Sequence, residues 1–397
     1  MQRVYRAGVP HTDRAGNIRT GYDTASFFPR CIYHAVAGSF RAIREAGFNC
    51  VHTWEGYGIG DVIAELRAND LQLIKHWPTD AEVREFGSDP SILAWYLDEE
   101  PTAQTYLDMQ RTSNAGLMRD RYQAFVSRKA AIQAIDRRHP VFPLDGAWVP
   151  PALEAWWDRW NTSGDISAHD NYPLMAQAAD IGSLPRSIHQ AIHLNGERKP
   201  VWLTLQAFGG APGLQPAMRL PTPGELRGMV FTSIIHGATG ITLFAYDSEV
   251  TREGLVIGIA PGTQESYGKH ATATPRQVEQ SRLLWAGAAR LNAELDRLTP
   301  RLLSPTATLP YTVYFSGASR NPSPIRTMLK GAGGRYTLLA ANIEGRPFGV
   351  RFQFTRPIAA VRRLNGDGSR TSIAPSGSMF RDTLAALAAA VYEVRFR

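Results

Sequence analysis

The 397-residue chain has only two cysteines, Cys31 and Cys50. Neither stands in a Cys-x-x-Cys pair or a zinc-ligand spacing, which excludes a thioredoxin-like redox motif and a cysteine-built zinc site. No apolar run reaches the length of a membrane span. There is no G-x-G-x-x-G and no P-loop, so the phosphate-cradling loops of those kinds are excluded. Basic residues outnumber acidic ones by only 43 to 36, a formal +7. That excess reads as thinly spread, its densest pair being Arg137-Arg138 at a predicted helix end, where cations suit the helix dipole. This is the pattern of a solvated basic surface, and no basic stripe marks a nucleic-acid partner. Repeats and low-complexity tracts are absent too. What remains is 44% hydrophobic and 20% charged, as in a globular protein.

Met1-Gln-Arg-Val is followed by no apolar stretch of the signal-peptide kind. Val4 to Val9 and Ile18 instead pattern as hairpin strands turning at Arg14-Ala-Gly-Asn17. The opening therefore reads as one from which a leader has been removed. The expectation is a periplasmic or extracellular protein of a bacterium, with the cytoplasm as the alternative. Cys31 and Cys50 fall on the first two predicted strands, and two buried free thiols are expected there, with a disulfide as the alternative if they face each other.

Short apolar runs alternate with helical periodicity over most of the chain. Strands are predicted at 28–34, 49–54, 71–76, 92–98, 141–144, 166–169, 200–206 and 240–246. Helices are predicted between them, the longest over 118–136 and 275–298. Eight strands separated by helices argue for a (β/α)8 TIM barrel over residues 1–304. Beyond about Pro305 the period changes to two, with turns at Gly331-Ala-Gly-Gly334 and Asn365-Gly-Asp-Gly368. That predicts a C-terminal antiparallel β-sandwich domain over 305–397.

The most informative stretch is Ile92-Leu-Ala-Trp-Tyr-Leu-Asp-Glu-Glu-Pro101, a buried strand that ends in three acids. The C-terminal ends of barrel strands gather at one mouth, where such barrels carry their chemistry. The crowding of Asp98, Glu99 and Glu100 drives their pKa values apart and keeps one carboxyl protonated near neutrality, as a general acid requires. Regular strand alternation sets Asp98 and Glu100 on one face and Glu99 on the other. The other tips offer Trp54-Glu55, His76-Trp77, Asp145-Gly-Ala-Trp148, His169-Asp170, Tyr172, Gln206 and Tyr246-Asp247. Carboxylates, amides and aromatic rings together suit a sugar, since rings stack on pyranose faces and polar groups hold hydroxyls. The segment from Asp247 to Thr274 follows the last strand and is expected to shape the cleft.

Phe27-Phe-Pro-Arg-Cys-Ile-Tyr33, Trp95-Tyr-Leu-Asp-Glu-Glu-Pro101, Asp170-Asn-Tyr-Pro173 and His236-Gly-Ala-Thr-Gly-Ile241 resemble motifs of clan-A-like (β/α)8-barrel glycoside hydrolases. The resemblance extends over about residues 20 to 300. It implies that Glu100, the Glu before Pro101, is the acid/base of a reaction that cleaves O-glycosidic bonds of a poly- or oligosaccharide without a cofactor. The same resemblance places a nucleophilic Glu at the tip of strand seven, where this chain has Gln206, and an amide cannot serve.

The expected repairs are Asp170 or Asp247 as the second carboxylate, or assistance by a 2-acetamido group of the substrate with Glu99 or Asp98 beside Glu100. The expected sugar contacts are Trp54, Glu55, His76, Trp148, Tyr172, Gln206 and Tyr246, with no metal. The alternatives are a barrel that binds carbohydrate without cleaving it and, third, a metal-dependent lyase or isomerase.

Overall fold

The structure is a computed structural model that describes residues 10–19, 27–53, 57–147, 151–175, 179–210, 218–251, 254–260, 273–320, 323–332 and 334–397. A hairpin, His11–Thr12 against Ile18–Arg19, turns where Asp13 accepts the backbone NH groups of Ala15 and Asn17. Its first predicted strand, 4–9, lies outside the described residues.

Eight parallel strands then close a barrel: β1 (Arg30–Ala35), β2 (Cys50–Thr53), β3 (Gln72–His76), β4 (Ile92–Glu99), β5 (Val141–Gly146), β6 (Ser167–Asn171), β7 (Val201–Gln206) and β8 (Gly240–Phe244). The helices are α1 (Phe40–Glu45), α2 (Ile59–Ala68), α3 (Asp80–Phe86), α4 (Pro101–Thr112), α5 (Leu117–Ile135), α6 (Glu154–Ser163), α7 (Ser183–Asn195), α8 (Pro223–Ile235) and α9 (Pro275–Leu302). Short runs with weak periodicity hide α3 and α4 in the sequence. Local chemistry sets their starts: Thr79 and Glu82 form a reciprocal capping box before α3, and Pro101 opens α4.

Residues alternate between two apolar layers. Trp95, Leu97, Val141, Leu203 and Leu205 join the layer under the helices, while Tyr33, Tyr96, Phe142, Ala168 and Trp202 fill the barrel interior. Cys31 and Cys50 belong to the interior layer and face each other in register on β1 and β2. They form a disulfide, which corrects the expectation of free thiols. Parallel neighbours in register bring the Cα atoms to 4.4 Å, within disulfide range. The bridge closes a loop of 19 residues, so replacing both cysteines by alanine should cost about 3 kcal/mol. Urea unfolding of the variant checks this; a loss well under about 1 kcal/mol would mean the bridge constrains little.

The C-terminal domain pairs a three-stranded sheet, β9 (Tyr311–Phe315), β12 (Phe348–Phe354) and β15 (Met379–Leu384), with a five-stranded one. The latter holds β10 (Ile325–Ala332), β11 (Arg335–Asn342), β13 (Ile358–Leu364), β14 (Arg370–Ile373) and β16 (Ala389–Phe396). Both are antiparallel and enclose their own core around Phe352, Phe380 and Tyr392. The outer face of the larger sheet lies on α8 and α9. Leu339 and Val391 enter the barrel's outer core there, Arg227 bridges Glu294, and Arg301 bridges Glu393. Gly228 allows this approach, since a Cβ on it would stand 2.0 Å from the Leu387 carbonyl oxygen.

Candidate active site

A bulge decides what the strand-four acids do. The register of β4 against β5 shifts between Tyr96 and Asp98, so Leu97 points outward and Asp98 follows it to the same side. Asp98 is buried against Arg121 of α5, whose Nε reaches both carboxylate oxygens at 3.1 Å and whose Nη2 also holds the Glu99 carbonyl at 3.1 Å. The alternation argument that set Asp98 beside Glu100 fails at this extra residue. Asp98 is one half of an ion pair that ties β4 to α5.

Glu99 turns inward instead. Its Oε2 accepts both the Tyr33 and the Tyr96 hydroxyl, and the side chain keeps partial solvent access. Burial, then the charge of Glu100, raises its pKa to about 8. Glu100 follows in the left-handed region (φ 38, ψ 50), pinned by its NH to the Leu144 carbonyl at 2.7 Å. That turn brings successive acids, Glu99 and Glu100, to one mouth.

Two further acids join them. Asp170, at the end of β6, is buried, and the charge of Glu100 acts on it more than that of any other carboxylate. Its Oδ2 accepts no hydrogen bond from any described residue, and burial with the charge of Glu100 holds its pKa well above the usual carboxylate range. Asp145, at the end of β5, accepts the Thr102 NH at 3.1 Å, the Thr102 hydroxyl and the Gly146 NH at 3.0 Å. Burial outweighs those donors and lifts its pKa to about 7. Sequence reading places Asp145 at the tip of strand five, directly before Gly146, but assigns it no role. Gly146 leaves the floor open, with both a Glu100 and an Asp170 oxygen 3.7 Å from where its Cβ would stand.

Aromatic rings wall this group. Tyr33 stacks on His52 at 3.8 Å, and Tyr96 lies between His76 at 4.5 Å and Phe142 at 5.2 Å. Tyr172 stands edge-on to Phe208 at 5.0 Å, and the charges of Asp170, Glu100 and Glu99 add to burial in raising its pKa. Trp77 is 48% exposed beside His76, a platform at the rim. His76 itself is buried, and burial lowers its pKa to about 3.

Other predicted contacts lie elsewhere. Gln206 is fully buried. Its Oε1 accepts the Leu174 NH at 2.9 Å, and its Nε2 donates to the carbonyls of Leu174 at 3.0 Å, Arg219 at 2.8 Å and Phe208 at 3.4 Å. An amide so committed has nothing left for a sugar. Tyr246 packs edge-on to Trp285 of α9 at 5.5 Å, in the outer core. Asp247 accepts the Ser248 NH at 2.9 Å, and the charges acting most on Asp170 are those of Glu100, Glu99 and Asp145. His169 points outward to Trp157, and burial lowers its pKa to about 3. Trp54, Glu55 and Trp148 lie outside the described residues, as does most of the segment 252–272. Among the described residues no group of three or more His, Cys, Asp or Glu could hold a metal ion, and no helix is long and apolar enough to cross a membrane.

No family model matches the chain, and no curated protein does. Solved structures do resemble it. A β-galactosidase from Bacillus circulans sp. alkalophilus superposes with a TM-score of 0.59 at 10% identity, over 92% of this chain and 99% of that one. A glycoside hydrolase gives 0.55 at 12% identity over 99% of both chains. A family 5 glycoside hydrolase from Bacteroides vulgatus ATCC 8482 gives 0.55 at 11%, over 100% of this chain and 95% of that one. At such identity the likeness is one of fold: an eight-stranded parallel barrel with a C-terminal β-sandwich, as in several glycoside hydrolases.

These titrations make stability depend on pH. His52, His76 and His169 have lowered pKa values, so below about 6.5 the unfolded chain binds protons that the fold refuses, and stability falls with acid. Glu99 and Asp145 have raised ones, so from about 4.5 upward the fold keeps protons that the unfolded chain has released, and stability falls as pH rises until about 7 to 8. The two trends oppose each other up to about pH 6.5, and above it only the carboxyl trend remains. Melting temperature should therefore fall between about pH 6.5 and 8. Glu99→Gln should flatten that fall; an unchanged fall would refute this.

Proposed function

We propose that this protein is a glycoside hydrolase acting on a poly- or oligosaccharide. The observation that carries the reading is the group of Glu99, Glu100 and buried Asp170 around Gly146 at the C-terminal mouth of the barrel. Glu100 donates to the leaving oxygen. Asp170 is buried near it, and burial with the charge of Glu100 raises its pKa, which makes it a poor carboxylate nucleophile. Glu99 has Oε2 taken by two phenols, so Oε1 is the atom that faces the sugar. Protonated up to about pH 8, it can donate to a sugar hydroxyl; to assist through a 2-acetamido group it must first lose that proton, so that it accepts the acetamido N–H while the carbonyl oxygen attacks. Trp77 and Tyr172 offer the rings. The Cys31–Cys50 disulfide supports an oxidising compartment.

The second reading, a barrel that binds sugar without cleaving it, is favoured by one observation: Gln206 occupies the strand-seven tip. Reducing-end release from a panel of plant and bacterial polysaccharides, N-acetylated ones included, separates the two. Release by wild type that disappears in Glu99→Gln/Glu100→Gln is expected. Polysaccharides that are retained by the wild type yet never cleaved would establish the binding reading instead.

A further inference from the structure

The positive charge of this chain belongs to one domain. Residues 305–397 hold twelve Arg and one Lys against two Asp and two Glu, whereas residues 1–304 hold 30 basic and 32 acidic residues. The surplus that reads as thinly spread along the whole sequence is a surplus of the β-sandwich, and the barrel is slightly acidic.

Within that domain one surface stands out. The sheet β9–β12–β15 buries Val350, Phe352 and Phe380 on its inner face, with Val313 packed half-buried against them. Its outer face carries Tyr314, Arg351 and Arg381 with Thr312, Gln353 and Thr383. Tyr314 is 46% exposed, and the Arg351 guanidinium lies 4.0 Å from its ring centroid. Arg351 and Arg381 are directly opposite each other in register. Like charges so placed are destabilising. Among the described residues no carboxylate relieves either one, and the Arg351 Nε is buried with no hydrogen-bond partner. The nearest acid in sequence, Asp382, turns to the inner side, where it binds Arg363 and Tyr392.

We propose that this face is a docking site for an acidic polysaccharide, a glycan with repeating carboxylate or sulfate groups. Two unpaired guanidiniums offer paired donors to such an anion, and its binding offsets their mutual repulsion. The cation–π contact holds Arg351 in place before binding. The exposed ring offers a sugar a stacking surface, and Thr312, Gln353 and Thr383 offer its hydroxyls donors and acceptors. Anion binding follows from the face alone; the choice of a glycan rests on the glycosidase reading of the barrel. The site would keep the polymer on the protein between cleavage events.

Affinity electrophoresis of the full chain in native gels containing polygalacturonate, dextran sulfate or neutral dextran tests this, with Glu99→Gln/Glu100→Gln run alongside so that binding is read without hydrolysis. Retardation by polygalacturonate, dextran sulfate or both, but not by dextran, is expected, and which gel retards tells carboxylate from sulfate. Arg381→Glu should reduce that retardation at least tenfold while melting as high as wild type or higher, since it pairs a carboxylate with Arg351. Arg335→Glu, the same charge change on the other sheet, should keep it. No retardation by either polyanion, or equal loss in both variants, overturns the proposal. Tighter binding of duplex DNA through Arg351 and Arg381 would also overturn it, giving the face to a nucleic acid.

Discussion

Glu100→Gln should lower turnover of an unactivated glycoside by about 10²–10⁴-fold, the range a positioned general acid supplies. An alkoxide is a poor leaving group and must take a proton as the glycosidic bond breaks. Glutamine has nearly the same shape but no acidic proton. The mouth therefore keeps its form, and binding changes little. A nitrophenyl glycoside leaves as a stable phenolate and needs no such help, so its cleavage should survive the substitution far better. Comparing kcat on the two substrates is the check. Equal losses on both would mean that Glu100 does something other than protonate the leaving oxygen, and the acid would have to be sought at Glu99.

The largest effect on stability is expected from Arg121→Ala. Asp98 sits buried in the outer layer, and Arg121 supplies its charge-assisted bonds while also holding Thr105 and the Glu99 carbonyl. Removing one partner of such a pair leaves a charge without compensation and costs about 3–5 kcal/mol. Asp98→Asn/Arg121→Met removes the charge together with its partner and should recover much of that loss. Denaturant unfolding of the single and double variants decides the matter. A single-variant loss under about 1 kcal/mol would show the pair to be solvated and the helix α5 to be held by other contacts.

The barrel was legible because each strand is a short apolar run closed by polar residues, and the sandwich because its period changes to two. The mouth was legible in part for the same reason: Glu99, Glu100, Asp170 and Tyr172 all stand at strand tips and come together. What sequence could not supply was the extra residue at Leu97. One bulge exchanges the faces of Asp98 and Glu99, and nothing in Trp95-Tyr-Leu-Asp-Glu marks it. Gln206 was opaque for another reason. Its partners are backbone atoms of Leu174, Phe208 and Arg219, and loops up to 32 residues away deliver them. The disulfide turned on whether two inward positions fall in register, which strand boundaries uncertain by a residue or two do not decide.

A change of one base converts a glutamine codon into a glutamate codon, so the acid absent from the tip of β7 is a single mutational step away. The step is nonetheless closed. A carboxylate at 206 would face the three carbonyl oxygens that the amide nitrogen now serves, and each of them would lose its donor. A strand-seven acid would require both flanking loops to be rebuilt first. In evolutionary terms position 206 is closed to that substitution until those loops change.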